Sequence, residues 1–188
     1  MRVYTHPACL AHQPGPGHPE CPARLQAVTA ALRAAIQPLE WVEAPMASRE
    51  AAERVHTKAL VDAIFDARFD GEALVRLDAD TAMSPESPEA ARRAAGAVVA
   101  AVDAVMAGEV TRAFCAVRPP GHHATRETAM GFCLLNGIAI GAAHAVHAHG
   151  LTRVAVVDFD VHHGNGTEAI FAAEPRVQYL SSHQHPLY

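Results

Sequence analysis

The sequence predicts an α/β fold in which a largely parallel β-sheet carries helices on both faces. Short apolar segments alternate along the chain with longer segments of helical periodicity, which is the pattern of parallel strands joined by helices. The chain has 188 residues, of which 50% are hydrophobic and 19% are charged, so it can bury a substantial core. No internal repeat, low-complexity tract or linker divides it, and we expect one domain over residues 1–188.

The first half of the chain predicts two short strands and two helices. The segment MRVYTH is typical of a first strand, and LEWV of a second one. Between them, apolar residues recur at helical spacing from Leu25 to Ile36. The segment TKALVDAIFDARF repeats the helical pattern.

The second half predicts two long helices and three strands. Ser87 can cap the first helix, which runs through an alanine-rich segment until Gly108 ends it. A second alanine-rich helix covers residues 135–149. Three apolar segments predict buried strands: RAFCAV, RVAVVDFD and RVQYLSS.

Charge and cysteine usage exclude several classes of protein. The formal net charge is −5, from 15 basic and 20 acidic residues, and no Lys/Arg run indicates direct nucleic-acid binding. The four cysteines form no C-x-x-C pair, which fits a reducing compartment. The N-terminus lacks the apolar core of a signal peptide, and no apolar run reaches the ~18 residues of a membrane span. We therefore expect a cytoplasmic protein without membrane contact; the sequence sets no oligomeric state.

Two of the predicted strands lead directly into paired histidines. RAFCAV is followed by RPPGHHA, and RVAVVDFD by VHHGNGT, so parallel pairing brings both segments to one edge of the sheet. Asp158 ends a buried strand, where a carboxylate needs a partner, and a histidine of the neighbouring loop can serve. Asp160 and His162 can point at one cation, and their donor atoms suit zinc.

Each segment alone has a simpler explanation. Asp158 and Asp160 can cap the following helix, and the glycines can serve only to make a sharp turn. Two such segments at adjacent strand ends favour a functional site. His144, His147 and His149 could coordinate a metal, but they lie near a helix C-terminus, where the helix dipole stabilises histidine, and this favours a structural role for them.

Four stretches, taken in order, resemble the histone deacetylase superfamily, especially the class II-like bacterial branch that includes acetylpolyamine amidohydrolases. They are HPECPARL, RPPGHHA, MGFCLLNGIAIGA and VVDFDVHHGNGTEAIF. The resemblance implies an arginase/deacetylase-like fold, of which residues 1–188 are the N-terminal part of a single domain. The family's third zinc ligand, an Asp, and its oxyanion-binding Tyr lie downstream of residue 188, so we expect an apparently truncated sheet and an incomplete site.

The resemblance also implies roles for individual residues. Asp160 and His162 correspond to two zinc ligands of the family. His122 and His123 correspond to its tandem histidines, which move protons, and Asp158 corresponds to the carboxylate that orients His122. His123 faces Asn165, where class I relatives carry Asp, and is therefore expected to be less basic.

Further residues correspond to substrate and cation contacts in the family. Gly131 and Phe132 resemble the residues that form the wall of the acyl-lysine tunnel. Arg24 resembles the arginine near an internal acetate pocket, and Asp80 resembles a carboxylate at the rim of the tunnel. A monovalent-cation site, for K+, is implied largely through backbone oxygens of five residues: Asp158, Asp160, His162, Ser181 and Ser182.

The function that the resemblance implies is zinc-dependent hydrolysis of an N-acetyl amide in the intact protein. The substrate is an acetylated lysine side chain or an acetylated polyamine, and the products are acetate and the free amine. The alternative is a truncated or degenerate non-catalytic relative that binds acetylated ligands or protein partners. A phosphoesterase is a weaker alternative, because the sequence offers neither a second metal cluster nor a basic phosphate clamp.

Overall fold

The computed structural model describes residues 1–35, 37–71 and 74–186. Ile36, the last apolar residue of the first predicted helix, lies outside the described residues. The strands in these ranges are β1 Arg2–Thr5, β2 Glu40–Glu43, β3 Val75–Arg76, β4 Ala82–Met83, β5 Ala113–Cys115, β6 Val154–Asp158 and β7 Val177–Ser181. The helices in the same ranges are α1 Ala8–Ala11, α2 Pro22–Arg33, α3 Arg49–Glu53, α4 Lys58–Phe65, α5 Ser87–Met106, α6 Gly137–His147 and α7 Asn165–Phe171. No helix within the described ranges combines the length and apolar character needed to cross a membrane.

The strands form two separate parallel groups and one short hairpin. β1 lies between β2 and β5 and pairs in parallel with both, while β6 pairs in parallel with β7. β3 and β4 form the antiparallel hairpin. Among the described residues no strand pairing joins β5 to β6. The predicted α/β fold with a largely parallel sheet is confirmed.

Alternating side chains of β1 show that helices cover both faces of the three-stranded sheet. Val3 is fully buried on the face covered by α1 and α2, where it clusters with Cys9 and Leu25. Tyr4 points to the other face and clusters with Ala97 of α5, and its hydroxyl donates to the Ala100 carbonyl at 3.2 Å.

The prediction that RAFCAV and RVAVVDFD are buried strands is wrong for one face of each. Val156 of β6 packs into the main core, but its neighbour Val157 is 65% exposed on the opposite face. Phe114 of β5 is 41% exposed. A continuous apolar run shows that a strand is compatible with burial on both faces, but it does not show that both faces are covered.

The predicted N-terminal cap of α5 is wrong. Glu86, already in a helical conformation, precedes α5 and its side chain makes no capping hydrogen bond. Ser87 does not cap the helix, because its hydroxyl accepts from the Ser84 amide at 2.7 Å and contacts His12 Nδ1 at 2.6 Å. The end of the helix is as predicted, since Gly108 follows with a φ of 73°.

Helices α5 and α6 pack closely because small residues face each other. A Cβ added to Gly141 of α6 would lie 2.3 Å from Cγ1 of Val98 on α5, and one added to Gly137 of α6 would lie 3.5 Å from the Cα of Ala95 on α5. Asn136 caps α6, with its side-chain oxygen accepting from the Ala139 amide at 3.1 Å. This helix pair connects the two parallel strand groups, because α5 contacts β1 and β5 while α6 contacts β6.

A buried histidine connects the start of α6 to the loop after His123. His56 is 1% exposed; its Nδ1 donates to the Thr125 carbonyl at 2.8 Å, and its Nε2 accepts from the Asn136 amide at 2.9 Å. These partners fix the neutral tautomer, because a carbonyl only accepts and an amide N–H only donates. Burial lowers the pKa of His56 to about 4.

We expect His56 to make folding stability pH-dependent. Between pH 6.5 and about 4 the unfolded chain protonates this histidine while the folded chain does not, so the free energy of unfolding falls as the pH is lowered. The loss is about 3 kcal/mol, calculated from the shift in pKa. Urea denaturation at several pH values measures it. His56→Gln should flatten this slope relative to the unsubstituted protein, and parallel slopes in the two proteins would contradict the assignment.

Candidate active site

The predicted site residues surround one open cavity of about 560 Å³ beyond the carboxyl ends of β5 and β6. The cavity brings together residues that are far apart in the sequence and come from four separate loops or helices. The predicted residues that line it are Arg24, Asp80, His122, His123, Gly131, Phe132, Asp160 and His162. Asp158, Ser181 and Ser182 lie behind this lining, at the ends of β6 and β7.

Asp158 is held against His122. Their side chains are 13% and 15% exposed, and His122 Nδ1 lies 2.8 Å from Asp158 Oδ2. The Tyr179 hydroxyl donates to the same oxygen at 3.1 Å, and the Asp160 amide donates to the other oxygen at 3.1 Å. Because Asp158 accepts, His122 Nδ1 carries a proton and its Nε2 is left as the acceptor in the neutral ring.

Tyr179 is a site residue that the sequence analysis missed. It lies opposite Val156 in the β6–β7 pairing, two residues before the partner of Asp158, so its side chain shares a face with that of Asp158. Its hydroxyl also accepts from the Gly164 amide at 3.1 Å. The alternation of RVQYLSS could have identified Tyr179 once parallel pairing with β6 was assumed.

His123 has a different environment from His122, although their ring centres are only 4.0 Å apart. It is 5% exposed, and its Nδ1 lies 2.8 Å from the side-chain oxygen of Asn165. Burial is the main cause that lowers the pKa of His123, and the nearby His122 and His162 add to it. The hydrogen bond to Asn165 acts in the opposite direction. The sequence attributes a low basicity of His123 to its neutral amide partner, Asn165. In the structure the main cause of the lowered pKa is the burial of His123.

Asp160 and His162 converge near the open side of the cavity. The His162 amide donates to Asp160 Oδ1 at 2.8 Å, and His162 Nδ1 lies 3.1 Å from the same oxygen. Partial burial opposes ionisation of Asp160. The hydrogen bonds from His162 and the charges of His122 and His162 outweigh this effect, so the pKa of Asp160 lies below its usual range. A carboxylate oxygen and an imidazole nitrogen at this spacing fit two positions of a tetrahedral zinc site.

The rim of the cavity has an unusual backbone. Gly131 and Phe132 both have left-handed φ values, 57° and 68°, which is unfavourable for a side chain such as that of Phe132. The Phe132 amide donates to the Thr81 hydroxyl at 2.9 Å, which fixes this conformation. The His18 ring packs edge-on against Phe132 at 4.6 Å, and its Nε2 lies 3.0 Å from the backbone oxygen of Asp80.

Arg24 stands between two cavities. It lines the cavity described above and a second one of about 490 Å³, whose walls also include Phe114 and Val117 near the end of β5. The second cavity shares Glu20 with the first. Arg24 is thus an exposed side chain at the junction of the two cavities.

A buried ion pair beneath the cavity is the second feature that the sequence analysis missed. Arg118 donates to Glu20 through two nitrogens, with Nη2 at 2.7 Å from Oε2, and its Nη1 donates to the Cys9 carbonyl at 2.7 Å. Burial alone would raise the pKa of Glu20, but His12 and Arg118 together lower it to about 2. An arginine directly after an apolar strand was a usable signal, because a buried charge needs a partner.

The glycines of VHHGNGT serve close approach rather than turning. Gly164 has a φ of −76°, which any residue adopts, so the expectation of a glycine-dependent turn is wrong there. A Cβ at Gly164 would lie 2.4 Å from Asp158 Oδ2, 2.5 Å from the Tyr179 hydroxyl and 3.0 Å from His122 Nδ1. A Cβ at Gly166 would lie 2.3 Å from the Ala124 carbonyl oxygen. Both glycines therefore leave room for the loop that carries His122 and His123 to pack against the loop that carries His162 and His163.

The segment after β7 closes against the segment after β6. The Ser182 amide donates to the Asp158 carbonyl at 3.1 Å, and the Ser181 hydroxyl contacts His183 Nδ1 at 2.7 Å. His163 stacks on His183, with ring centres 4.5 Å apart, and its Nε2 pairs with Glu168 at 3.0 Å. His163 is therefore directed toward α7 and β7, in contrast to its neighbour His162.

An apolar groove of about 330 Å³ separates β5 from β6. Val98 and Ile138 of the helix pair line it together with Val117, Val156 and Val157, and it reaches His122 and Asp158. The residues that follow β5 and those that follow β6 therefore meet at the cavity without any strand pairing between the two strands.

Residues 18–188 match the histone deacetylase domain family. An uncharacterized Synechocystis protein, slr0245, is 44% identical over 95% of this chain and 60% of its own length. Human polyamine deacetylase HDAC10 is 41% identical over 89% of this chain and 26% of its own length. The crystal structure of the HDA15 HD domain superposes with a TM-score of 0.91 at 36% identity, and covers 98% of this chain and 55% of that one. The chain thus spans three fifths or less of the length of these relatives.

Proposed function

The chain belongs to the histone deacetylase family, and from this premise we propose that the protein hydrolyses an N-acetyl amide with the help of zinc. The observation that carries the proposal is one cavity in which the His122–Asp158 and His123–Asn165 pairs lie beside the convergent donors Asp160 and His162. The products are acetate and a free amine.

Asp160 and His162 would hold the zinc ion. When bound, zinc polarises the acetyl carbonyl and lowers the pKa of a water molecule that it coordinates. The hydrogen bond from the His162 amide fixes the Asp160 carboxylate, and this keeps the two donor atoms close. We place a monovalent cation such as K+ beside them, at backbone oxygens of the segments that contain Ser181 and Ser182.

The two histidines divide the proton transfers because their partners differ. His123 is buried with a lowered pKa and a neutral amide partner, so it is uncharged at neutral pH and able to accept a proton. Asp158 can compensate a positive charge that forms on His122 when this ring takes up a proton, and it also fixes the orientation of the ring. Asn165 offers His123 no such compensation.

The substrate would enter past the rim and place its acetyl group at the histidines. Gly131 and Phe132 form a wall suited to a methylene chain, which both acetyl-lysine and an acetylated polyamine contain. Asp80 lies exposed at the entrance, where a carboxylate attracts a cationic amine or receives a backbone N–H. Arg24 lies where this cavity adjoins the second one, and its guanidinium could bind the acetate anion as it is released.

Metal content and hydrolysis, measured together, test the proposal. We expect the protein to hydrolyse an acetyl-lysine peptide or an acetylated polyamine, and His162→Ala to lose active-site zinc and at least ~10²-fold of the rate. His185→Ala, an exposed histidine near the same end of the chain, is the matched control and should change neither quantity.

Two results would redirect the assignment. Full zinc binding by His162→Ala at this site would remove His162 from the ligand set. Binding of zinc and of the acetylated ligands without turnover, in the unsubstituted protein, would favour the non-catalytic alternative.

A further inference from the structure

A second group of metal-type ligands lies outside the candidate active site. Nε2 of His144, on α6, lies 2.6 Å from Asp103 Oδ1 on α5, and Nε2 of His149 lies 2.7 Å from the same oxygen. All three ligand atoms lie within 4.8 Å of one another. We propose that these residues, the Asp103 cluster, bind a divalent transition-metal ion such as zinc.

The spacing of the three atoms is close to that of a zinc site. Zinc bonds of ~2.0–2.1 Å in a tetrahedron separate ligand atoms by ~3.3 Å, so each of the two contacts with Asp103 must lengthen by less than ~1 Å. The two histidine nitrogens, which lie within 4.8 Å of each other, must end at the same ~3.3 Å. The Asp103 side chain is 51% exposed and can withdraw by this amount. The His144 and His149 side chains are more buried, and their rings meet edge-on with centres 5.3 Å apart.

The fold keeps the three ligands in place. α5 and α6 pack closely along small residues, which fixes Asp103 relative to His144. Gly150, with a φ of 69°, turns the chain after α6, and the Leu151 amide donates back to the Ala145 carbonyl at 3.2 Å. This turn directs His149 back toward Asp103. The sequence favours a structural role at the helix terminus over metal binding for these histidines, but in the structure His144 and His149 converge on a carboxylate 41 and 46 residues away.

Space for further ligands lies beside the cluster. Asp103 and His144 line a cavity of about 240 Å³ together with Ser48 and Arg54. Water can enter there and complete a four-coordinate ion that has three protein ligands. None of the three ligands lines the candidate active site, so the proposal does not depend on the proposed function.

Arg54 opposes metal binding and sets its strength. Its Nη1 lies 3.1 Å from His144 Nδ1, and since arginine only donates, Nδ1 accepts while the proton of the ring sits on Nε2. Metal binding through Nε2 moves that proton to Nδ1, where it meets the arginine N–H. Arg54 must then turn toward Glu50, which its Nη2 already contacts at 2.9 Å. We therefore expect that removing the Arg54 guanidinium strengthens metal binding.

Zinc titration against a chromophoric chelator, with the protein carrying His162→Ala, separates this cluster from the candidate active site. We expect one equivalent of zinc, a tetrahedral absorption band when cobalt replaces it, and at least tenfold weaker binding after Asp103→Asn or His149→Ala. Arg54→Gln should bind several-fold more tightly.

His147→Ala is the matched control, because His147 lies on the same helix but lines a different cavity with Glu174. It should bind zinc like its parent. Equal zinc binding by the His147→Ala and His149→Ala proteins would overturn the proposal, and so would the absence of a zinc equivalent from the His162→Ala parent. In that case Asp103 serves only to hold two histidines by hydrogen bonds.

Discussion

Replacing Glu20 with alanine is expected to lower the free energy of unfolding by about 3–5 kcal/mol. The reason is Arg118, which is 4% exposed and would lose both of its carboxylate contacts while its charge stays buried. Its remaining hydrogen bonds go to the backbone oxygens of Cys9 and His12, which do not neutralise the charge. Urea denaturation at neutral pH measures the loss.

A partly exposed ion pair provides the control for this experiment. Arg93 and Glu89 form an i,i+4 pair on α5 at 3.1 Å, and Glu89 is 44% exposed. Glu89→Ala should change the free energy of unfolding by less than ~0.5 kcal/mol, because solvent screens such pairs. If the two substitutions had similar effects, Arg118 would have to be hydrated once Glu20 is removed.

Replacing Gly164 with alanine is expected to disrupt the candidate active site although no functional group is removed. The new Cβ would press on Asp158, Tyr179 and His122, which meet at this point. Overpacking of this kind destabilises by about 1–3 kcal/mol. Moving His122 away from Asp158 also removes the orientation of the ring, for which we expect a loss of ~10²-fold or more in hydrolysis.

Gly137→Ala is the matched substitution. Gly137 begins α6, and its added Cβ would be 3.5 Å from the nearest neighbour, the Cα of Ala95, which is ordinary van der Waals contact. We expect this variant to keep its activity and to change in stability by less than ~0.5 kcal/mol. Hydrolysis rates and denaturation curves of the two variants, measured side by side, separate the crowding at Gly164 from a general effect of glycine loss. Full activity in Gly164→Ala would contradict the crowding argument.

Periodicity and strand-end chemistry predicted most of the architecture from the sequence. The helical spacing of residues 87–106 and the apolar run of RVAVVDFD each depend on local contacts, so a single segment is enough to read them. The proximity of His122 to Asp158 could be expected as well, because parallel strands bring their carboxyl ends to one edge.

The features that were missed depend on contacts between distant segments. Glu20 and Arg118 are 98 residues apart, and neither segment alone indicates the other. Exposure of Val157 and Phe114 depends on which neighbours cover each face, and composition does not carry that information. The close approach of Tyr179 to Gly164 likewise depends on a distant segment, and the glycine pattern alone is equally compatible with a turn.

Because no strand pairing joins β5 to β6 in the described part of the chain, helices α5 and α6 also determine how the two strand groups are placed. His122 and His123 follow one strand group, whereas Asp158, Asp160 and His162 follow the other. Helix α5 contacts β1 and β5, helix α6 contacts β6, and the two helices pack on each other, so the helix pair positions the two sets of site residues relative to each other. A side chain at position 141 would press on Val98, at 2.3 Å from its Cγ1, and by moving one helix against the other it would shift the two halves of the candidate site without touching either.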